Sequence, residues 1–297
     1  MRSILHLVLA STAMLMPSAT SAIGTATASN SIEATYNRLG PYMTTTSTVS
    51  DENGNSFAIY RPTDYSTLGF ASPILTWGNG TDATPSQYTA VLTQIASYGF
   101  TVIASTLPNT GSGKEIDAAT SYLIAQNHLS ASPFHNHLDT ARIGAFGHSQ
   151  GATGAVNAAT HNPSRYATVL TFSLPDQRWS TTNPNCPTAD MCTPHPEQLK
   201  APTFLIATHG TLDAAIASPS TETAYFRNIP NHAALGLVGR GVDHLTPHDS
   251  HDPAAELGYA TAWFLYQLRG DTTAAAAFTG PHPELTGNID WPESLTK

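Results

Sequence analysis

The sequence predicts an α/β fold, a mainly parallel central β-sheet with helices on both faces. Two patterns predict it. Short β-branched and aromatic runs alternate with Ala-rich segments of helical spacing between Ser56 and Leu268, and such alternation joins parallel strands through crossover helices. Several of the runs are almost wholly apolar, as strands are when both faces of a sheet are covered. With 297 residues, 40% of them hydrophobic, the chain can bury one large core.

Residues 1–22 read as a secretory signal peptide and are set aside from the fold. Arg2 supplies the positive start, Ile4 to Met16 is mostly apolar, and Ser18 to Ala22 supplies small residues, with the cut expected after Ala22. The apolar run ends at Pro17, short of the roughly 20 residues that a membrane anchor needs. The mature chain is therefore expected to be secreted, extracellular or periplasmic, with no stable membrane anchor. Residues 23–37, rich in Ser, Thr and Ala, are expected to be a flexible lead-in, and 38–297 a single domain.

The β-branched and aromatic content places strands at Ser56–Tyr60, Pro73–Trp77, Thr101–Ser105, Arg142–Phe146, Ala167–Phe172, Thr203–Thr208 and Ala234–Val238. Helical spacing places helices at Ser86–Tyr98, Glu115–His128, Gln150–Thr160, Thr221–Arg227 and Pro253–Leu268. The polar, Pro-rich stretch Leu174 to Lys200 is expected to leave the core and form a rim. Its two cysteines, Cys186 and Cys192, are expected to pair in an exported protein; the alternative, a zinc pair, lacks the usual spacing and a second cysteine pair. The tail from Gly270 to Lys297 shows little periodicity.

The strongest local signal is Gly147-His148-Ser149-Gln150-Gly151, between a strand and an Ala/Gly-rich helix. This is the setting of the G-x-S-x-G nucleophile elbow of α/β-hydrolases. The sharp turn brings Gly147 and Gly151 together, where a Cβ would collide, and leaves the Ser149 hydroxyl exposed on a strained bend. The Gln150 N–H then points into the site at a helix start, where partial positive charge favours an oxyanion.

A serine needs a base held by a carboxylate, and in this fold they follow in the order Ser, acid, His. Asp213, five residues past the strand Thr203–Thr208, fits the acid, and His244, after Ala234–Val238, fits the base. Asp176 competes for the acid position, and His248, His251 and His282 for the base. Asp243 adjoins His244, but neighbours on an extended segment point apart. The second oxyanion donor is expected from Trp77-Gly78-Asn79-Gly80-Thr81, as the N–H of Asn79 or Gly80; Asn79-Gly80-Thr81 is also a glycosylation sequon. The cluster His244, His248, Asp249, His251 and Asp252 admits a metal reading instead.

Taken together, these motifs resemble the secreted bacterial polyester hydrolases, the cutinase and poly(ethylene terephthalate) hydrolase group related to dienelactone hydrolases. The likeness runs from Gly40-Pro41-Tyr42 through Tyr60-Arg61-Pro62, Ile95 to Val102, Leu138 to Gly144, the elbow, Ala201-Pro202-Thr203, Asp213, Asp243-His244 and Ala262-Trp263-Phe264. It implies a triad of Ser149, Asp213 and His244, oxyanion donors at Asn79 and Gln150, and cleavage of carboxylic esters through an acyl-enzyme without a cofactor. Three departures bear on the aromatic clamp of the polyester-cleaving members. Asn79 stands where they tend to have an aromatic residue, Gln150 where they have Met, and Ser173 to Asp176 where they have a tryptophan, with Trp179 slightly beyond.

The expected partner is a small-molecule or polymeric ester. With 12 Lys plus Arg against 21 Asp plus Glu and a formal net charge of −9, neither nucleic acid nor an anionic membrane is expected to bind. A monomer is expected. The rival readings are a metal-dependent hydrolase using His244, His248 and His251, and a non-catalytic secreted binding protein on the same fold.

Overall fold

The structure, a computed structural model, describes residues 31–181, 192–239 and 241–297. The expected signal peptide, most of the lead-in, and Cys186 lie outside the described residues.

Apolar residues alternate across a nine-stranded sheet and bury against helices on each side. The strands are β1 (Thr44–Ser50), β2 (Ser56–Pro62), β3 (Ser72–Gly78), β4 (Thr101–Ser105), β5 (Leu138–His148), β6 (Thr168–Phe172), β7 (Thr203–Thr208), β8 (Ala233–Val238) and β9 (Leu295–Thr296). Their spatial order is β1-β2-β4-β3-β5-β6-β7-β8-β9. All pairings from β4 to β8 are parallel, and the flanking pairs β1–β2, β2–β4 and β8–β9 are antiparallel. The helices are α1 (Ser31–Tyr36), α2 (Thr89–Ala96), α3 (Lys114–His128), α4 (Gln150–His161), α5 (Thr211–Ile216), α6 (Pro219–Asn228), α7 (Ala254–Arg269), α8 (Thr272–Ala275) and α9 (Glu284–Gly287).

This is the α/β-hydrolase fold. On β3, Leu75 and Trp77 face a core shared with α2 and α7, while Ile74 faces the opposite core shared with α3, α4 and α6. That is the two-residue period of a strand covered on both faces. Among the described residues, no helix is long and apolar enough to cross a membrane.

Several boundaries differ from expectation. Strand β5 runs from Leu138 to His148, longer at both ends than Arg142–Phe146. The helix expected over Ser86–Tyr98 is split: a 3-10 turn at Pro85–Gln87 and α2 flank Tyr88, whose φ of −125° and ψ of 23° are not helical. Strand β1 carried no apolar signal, because it is a polar, mostly exposed edge strand with one neighbour.

The lead-in also needs correction. Residues 31–36 are helical, held by contacts distant in sequence. The Glu284 carboxylate accepts from the Ile32 N–H (3.0 Å) and the Glu33 N–H (2.9 Å). Glu33 in turn accepts from Asn288 Nδ2 and Trp291 Nε1, both at 2.7 Å. Gly258 on α7 lets α1 approach, since a Cβ there would lie 2.6 Å from the Glu33 carbonyl. The tail after Gly270 lacks periodicity because it is anchored by single residues, among them the buried Trp291.

Replacing Glu284 with Ala removes the acceptor for the start of α1. Chemical denaturation is expected to show a loss of about 1–3 kcal/mol, the cost typical of stranding charge-assisted hydrogen-bond partners, and Glu284→Gln to lose less.

Candidate active site

Strand β5 turns directly into α4, and the turn residue Ser149 is held at φ 53° and ψ −122°. A side chain in that region is strained by about 1–3 kcal/mol. Backbone packing enforces it. A Cβ on Gly147 would strike the Gly151 carbonyl, and one on Gly151 would strike the Gly78 carbonyl. Three glycines thus bring β3, β5 and α4 into backbone contact, and the Ser149 N–H is tied to the Phe172 carbonyl of β6 at 2.9 Å.

The structure brings Ser149, His244 and Asp213 into one line. His244 Nε2 lies 2.9 Å from Ser149 Oγ, and His244 Nδ1 lies 2.7 Å from Asp213 Oδ1. Asp213 is fully buried. Its Oδ2 accepts from the Thr208 N–H (2.9 Å), Thr208 Oγ1 (2.7 Å) and Ser173 Oγ (2.9 Å). Four donors therefore converge on one carboxylate, and each finds an oxygen that accepts. Nδ1 of His244 therefore carries the proton, and Nε2 is left to accept from the serine hydroxyl.

The competing residues face elsewhere. Asp176 accepts from the Arg178 N–H (2.9 Å) and Thr221 Oγ1 (3.2 Å). His248 Nε2 meets the Tyr88 hydroxyl at 3.0 Å, His251 Nδ1 meets Ser250 Oγ at 3.0 Å, and His282 is exposed. Among the described residues, no group of three or more His, Cys, Asp or Glu is arranged to hold a metal ion.

Two positions that the motifs passed over shape the site. Ser173, at the end of β6 with φ 52°, carries its hydroxyl to Asp213. Asp243 reaches the acid's helix. Its Oδ1 accepts from the N–H groups of Leu212 (2.9 Å), Asp213 (3.0 Å) and His244 (2.8 Å). Burial alone would push this carboxyl up, but the N–H groups of His244, Asp213 and Leu212 outweigh it and hold it below the usual range. Asp243 thereby fastens the acid's loop to the base's loop, and Gly210 leaves room for it, since a Cβ there would overlap the carboxylate.

The two expected oxyanion donors flank Ser149. Among the described residues, no turn, loop or side-chain acceptor takes the Asn79 N–H or the Gln150 N–H. Gly80 is excluded as the donor, because its N–H is given to the Tyr88 hydroxyl at 3.1 Å. The Asn79 side chain is fully buried: Oδ1 accepts from Trp77 Nε1 (3.0 Å), and Nδ2 donates to the carbonyls of Ser105 (2.8 Å) and Leu107 (2.9 Å). A sequon asparagine in this position cannot be reached for glycosylation. Gln150 turns its Oε1 to the N–H groups of Thr110 (2.9 Å) and Gly111 (3.3 Å), away from the serine.

The line opens into a cavity of about 420 Å³, whose lining includes the apolar Pro175, Trp179, Ile216 and Leu245 together with Gly80 and Thr81. Trp179, Ser180 and Cys192 place the described part of the Leu174–Lys200 excursion on its rim. The expected partner of Cys192, Cys186, lies outside the described residues.

A sequence profile of the PET hydrolase-like family matches residues 16–293. The chain is 28% identical over 277 residues to bis(hydroxyethyl) terephthalate hydrolase of Streptomyces coelicolor, covering 90% of this chain and 79% of that one. It is 28% identical over 265 residues to cutinase 1 of Thermobifida cellulosilytica (84% and 89% covered). To the cutinase of Thermobifida fusca it is 27% identical over 265 residues (84% and 78% covered).

Two stability measurements test this geometry. Ser149→Gly is expected to stabilise the fold by about 1 kcal/mol net, strain relief outweighing the added freedom of the unfolded chain. Asp243→Ala is expected to cost about 1–3 kcal/mol in chemical denaturation, and Asp243→Asn, which keeps one acceptor oxygen, about half as much or less.

Proposed function

The chain belongs to the PET hydrolase-like family, and from that premise we propose that it is a serine esterase that hydrolyses carboxylic esters through an acyl-enzyme. The observation that carries this reading is the hydrogen-bonded line Ser149–His244–Asp213 at the floor of an open cavity. A non-catalytic binding protein has no use for a strained serine aligned with a buried imidazole and carboxylate.

In the proposed reaction, His244 Nε2 takes the Ser149 proton as Oγ attacks the ester carbonyl carbon. Asp213 keeps the proton on Nδ1 and stabilises the imidazolium that forms. The N–H groups of Asn79 and Gln150 receive the negative charge on the carbonyl oxygen, a contribution of roughly 3 kcal/mol per donor. Collapse expels the alcohol, which takes its proton from His244. Water, deprotonated by the same imidazole, then attacks the acyl-enzyme and releases the acid. No step draws on a cofactor.

The ester class rests on the relatives, whose names are bis(hydroxyethyl) terephthalate hydrolase and cutinase. The apolar wall of Pro175, Trp179, Ile216 and Leu245 suits the hydrocarbon part of such a substrate. In the same reading, the signal segment exports the chain, Cys186 and Cys192 pair after export, and the chain from α1 onward acts as one monomeric domain.

A fluorophosphonate probe is expected to label the wild type once and Ser149→Ala not at all. Ser149→Ala is also expected to lower p-nitrophenyl butyrate hydrolysis by about 10⁴-fold or more, and dialysis against a chelator to leave the wild-type rate unchanged. A Ser149→Ala rate within tenfold of wild type would falsify the proposal.

A further inference from the structure

The histidines clustered around His244 remain unexplained by the reaction, and their hydrogen bonds have only one consistent proton arrangement. His148 Nε2 lies 2.7 Å from the His244 carbonyl oxygen, which can only accept, so Nε2 carries a proton. His148 is buried; burial first, then His244 and His248, push its pKa well below the usual range, so the ring is neutral and Nδ1 is a bare acceptor. Tyr88 Oη, 3.0 Å from that Nδ1, must donate to it. Burial raises the pKa of this phenol, which keeps its one proton. The remaining partners must therefore donate to the Tyr88 oxygen: the Gly80 N–H at 3.1 Å, which has no other option, and His248 Nε2 at 3.0 Å.

We propose that the Tyr88 hydroxyl is a positioning hub that locks the oxyanion loop, the nucleophile elbow and the base loop in one fixed order of hydrogen bonds. Gly80 and His248 donate to Tyr88, Tyr88 donates to His148, and His148 donates to the backbone of His244. This rests on the esterase reading above, and it assigns a role to Tyr88, His148 and His248 that does not involve contact with substrate.

The surroundings are built for this arrangement. Gly80 must be glycine, since a Cβ would lie 2.9 Å from both His148 Nδ1 and the Tyr88 oxygen. Trp77 packs on the Tyr88 ring with centroids 4.8 Å apart. The segment after His244 is docked onto the start of α2 by Asp249, whose carboxylate accepts from the N–H groups of Thr89 (2.9 Å) and Ala90 (2.8 Å) and whose N–H donates to the Gln87 carbonyl (2.8 Å). The titratable groups facing the hub are His148, His244, His248, His251 beyond His248, and Asp249. The geometry matters because the Asn79 N–H, one proposed oxyanion donor, sits one residue before Gly80. One hydroxyl thus couples the donor on one side of Ser149 to the base on the other.

Tyr88→Phe is expected to lower kcat on p-nitrophenyl butyrate by tenfold or more with KM within threefold of wild type. His248→Ala, at a half-buried position that tolerates substitution better, is expected to lower kcat about threefold. Because both act through the same oxygen, the double variant should be no slower than Tyr88→Phe alone. Imidazole ¹⁵N NMR of the Ser149→Ala protein supplies a readout independent of turnover. His148 should appear as the neutral Nε2–H tautomer and should not titrate between pH 8 and 5. Additive kcat losses in the double variant, a Tyr88→Phe kcat within twofold of wild type, or a His148 that titrates normally would each overturn the hub. If Ser149→Ala retains activity, the esterase reading falls first; if it does not and Tyr88→Phe is silent, only the hub falls.

Discussion

A buried, hydrogen-bonded carboxylate organises this molecule. Asp213 has no solvent, and an isolated carboxylate in such a place is too costly to keep ionised. Each of its partners comes from a different part of the chain: Ser173 from the end of β6, Thr208 from the end of β7, and His244 from the loop after β8. Satisfying one group therefore fixes three loops against each other. Glu222 and Glu256 are equally buried; burial, then the charge on Asp213, push both well above the usual carboxyl range. Burial thus disfavours a second charge beside the carboxylate that holds the imidazole.

The glycine contacts do for the nucleophile what hydrogen bonds do for the acid. Gly78, Gly147 and Gly151 let two strands and a helix touch backbone to backbone, and Ser149 is left at the bend with no relaxed conformation available. Strain at Ser149 and desolvation at Asp213 are both destabilising, and the two large cores on either side of the sheet offset them. The Ser149 N–H to Phe172 hydrogen bond joins the two systems, since Ser173, the next residue, reaches Asp213.

How much of this was legible in the sequence depended on whether a feature was local. The seven expected strands each coincide with an observed strand, because a strand buried on both faces must be apolar along its length. The elbow was legible because Gly147, Ser149 and Gly151 fall within five consecutive residues, although Gly151 is demanded by Gly78 on a different strand. The edge strand Thr44–Ser50 was not, because one neighbour and two exposed faces impose no apolar pattern. The helix Ser31–Tyr36 was read as loose because its caps come from Glu284, far away in sequence. Asp243 leaves no sequence signal because its partners are backbone N–H groups, which every residue but proline carries. The histidine cluster looked like a metal site as a string of letters; in space the rings at 244, 248 and 251 take Asp213, Tyr88 and Ser250 as separate partners.

The same distinction bears on the cavity. Two positions where polyester-cleaving relatives tend to carry aromatic or Met side chains hold Asn79 and Gln150, and both amides are turned into the protein to fasten loops. Asn79 is absent from the cavity lining, whereas Gln150 lines it beside Gly80 and Thr81. The lining also includes Trp179, whose indole is held by its Nε1–H to the Ala215 carbonyl at 3.2 Å. Burial stabilises an apolar group in proportion to the area covered, about 25 cal/mol per Å². Hydrocarbon entering this cavity therefore gains where it covers Trp179, Pro175 and Leu245. The two amides thus act within the protein as fasteners between loops, Asn79 to the Ser105 and Leu107 carbonyls and Gln150 to the Thr110 and Gly111 N–H groups.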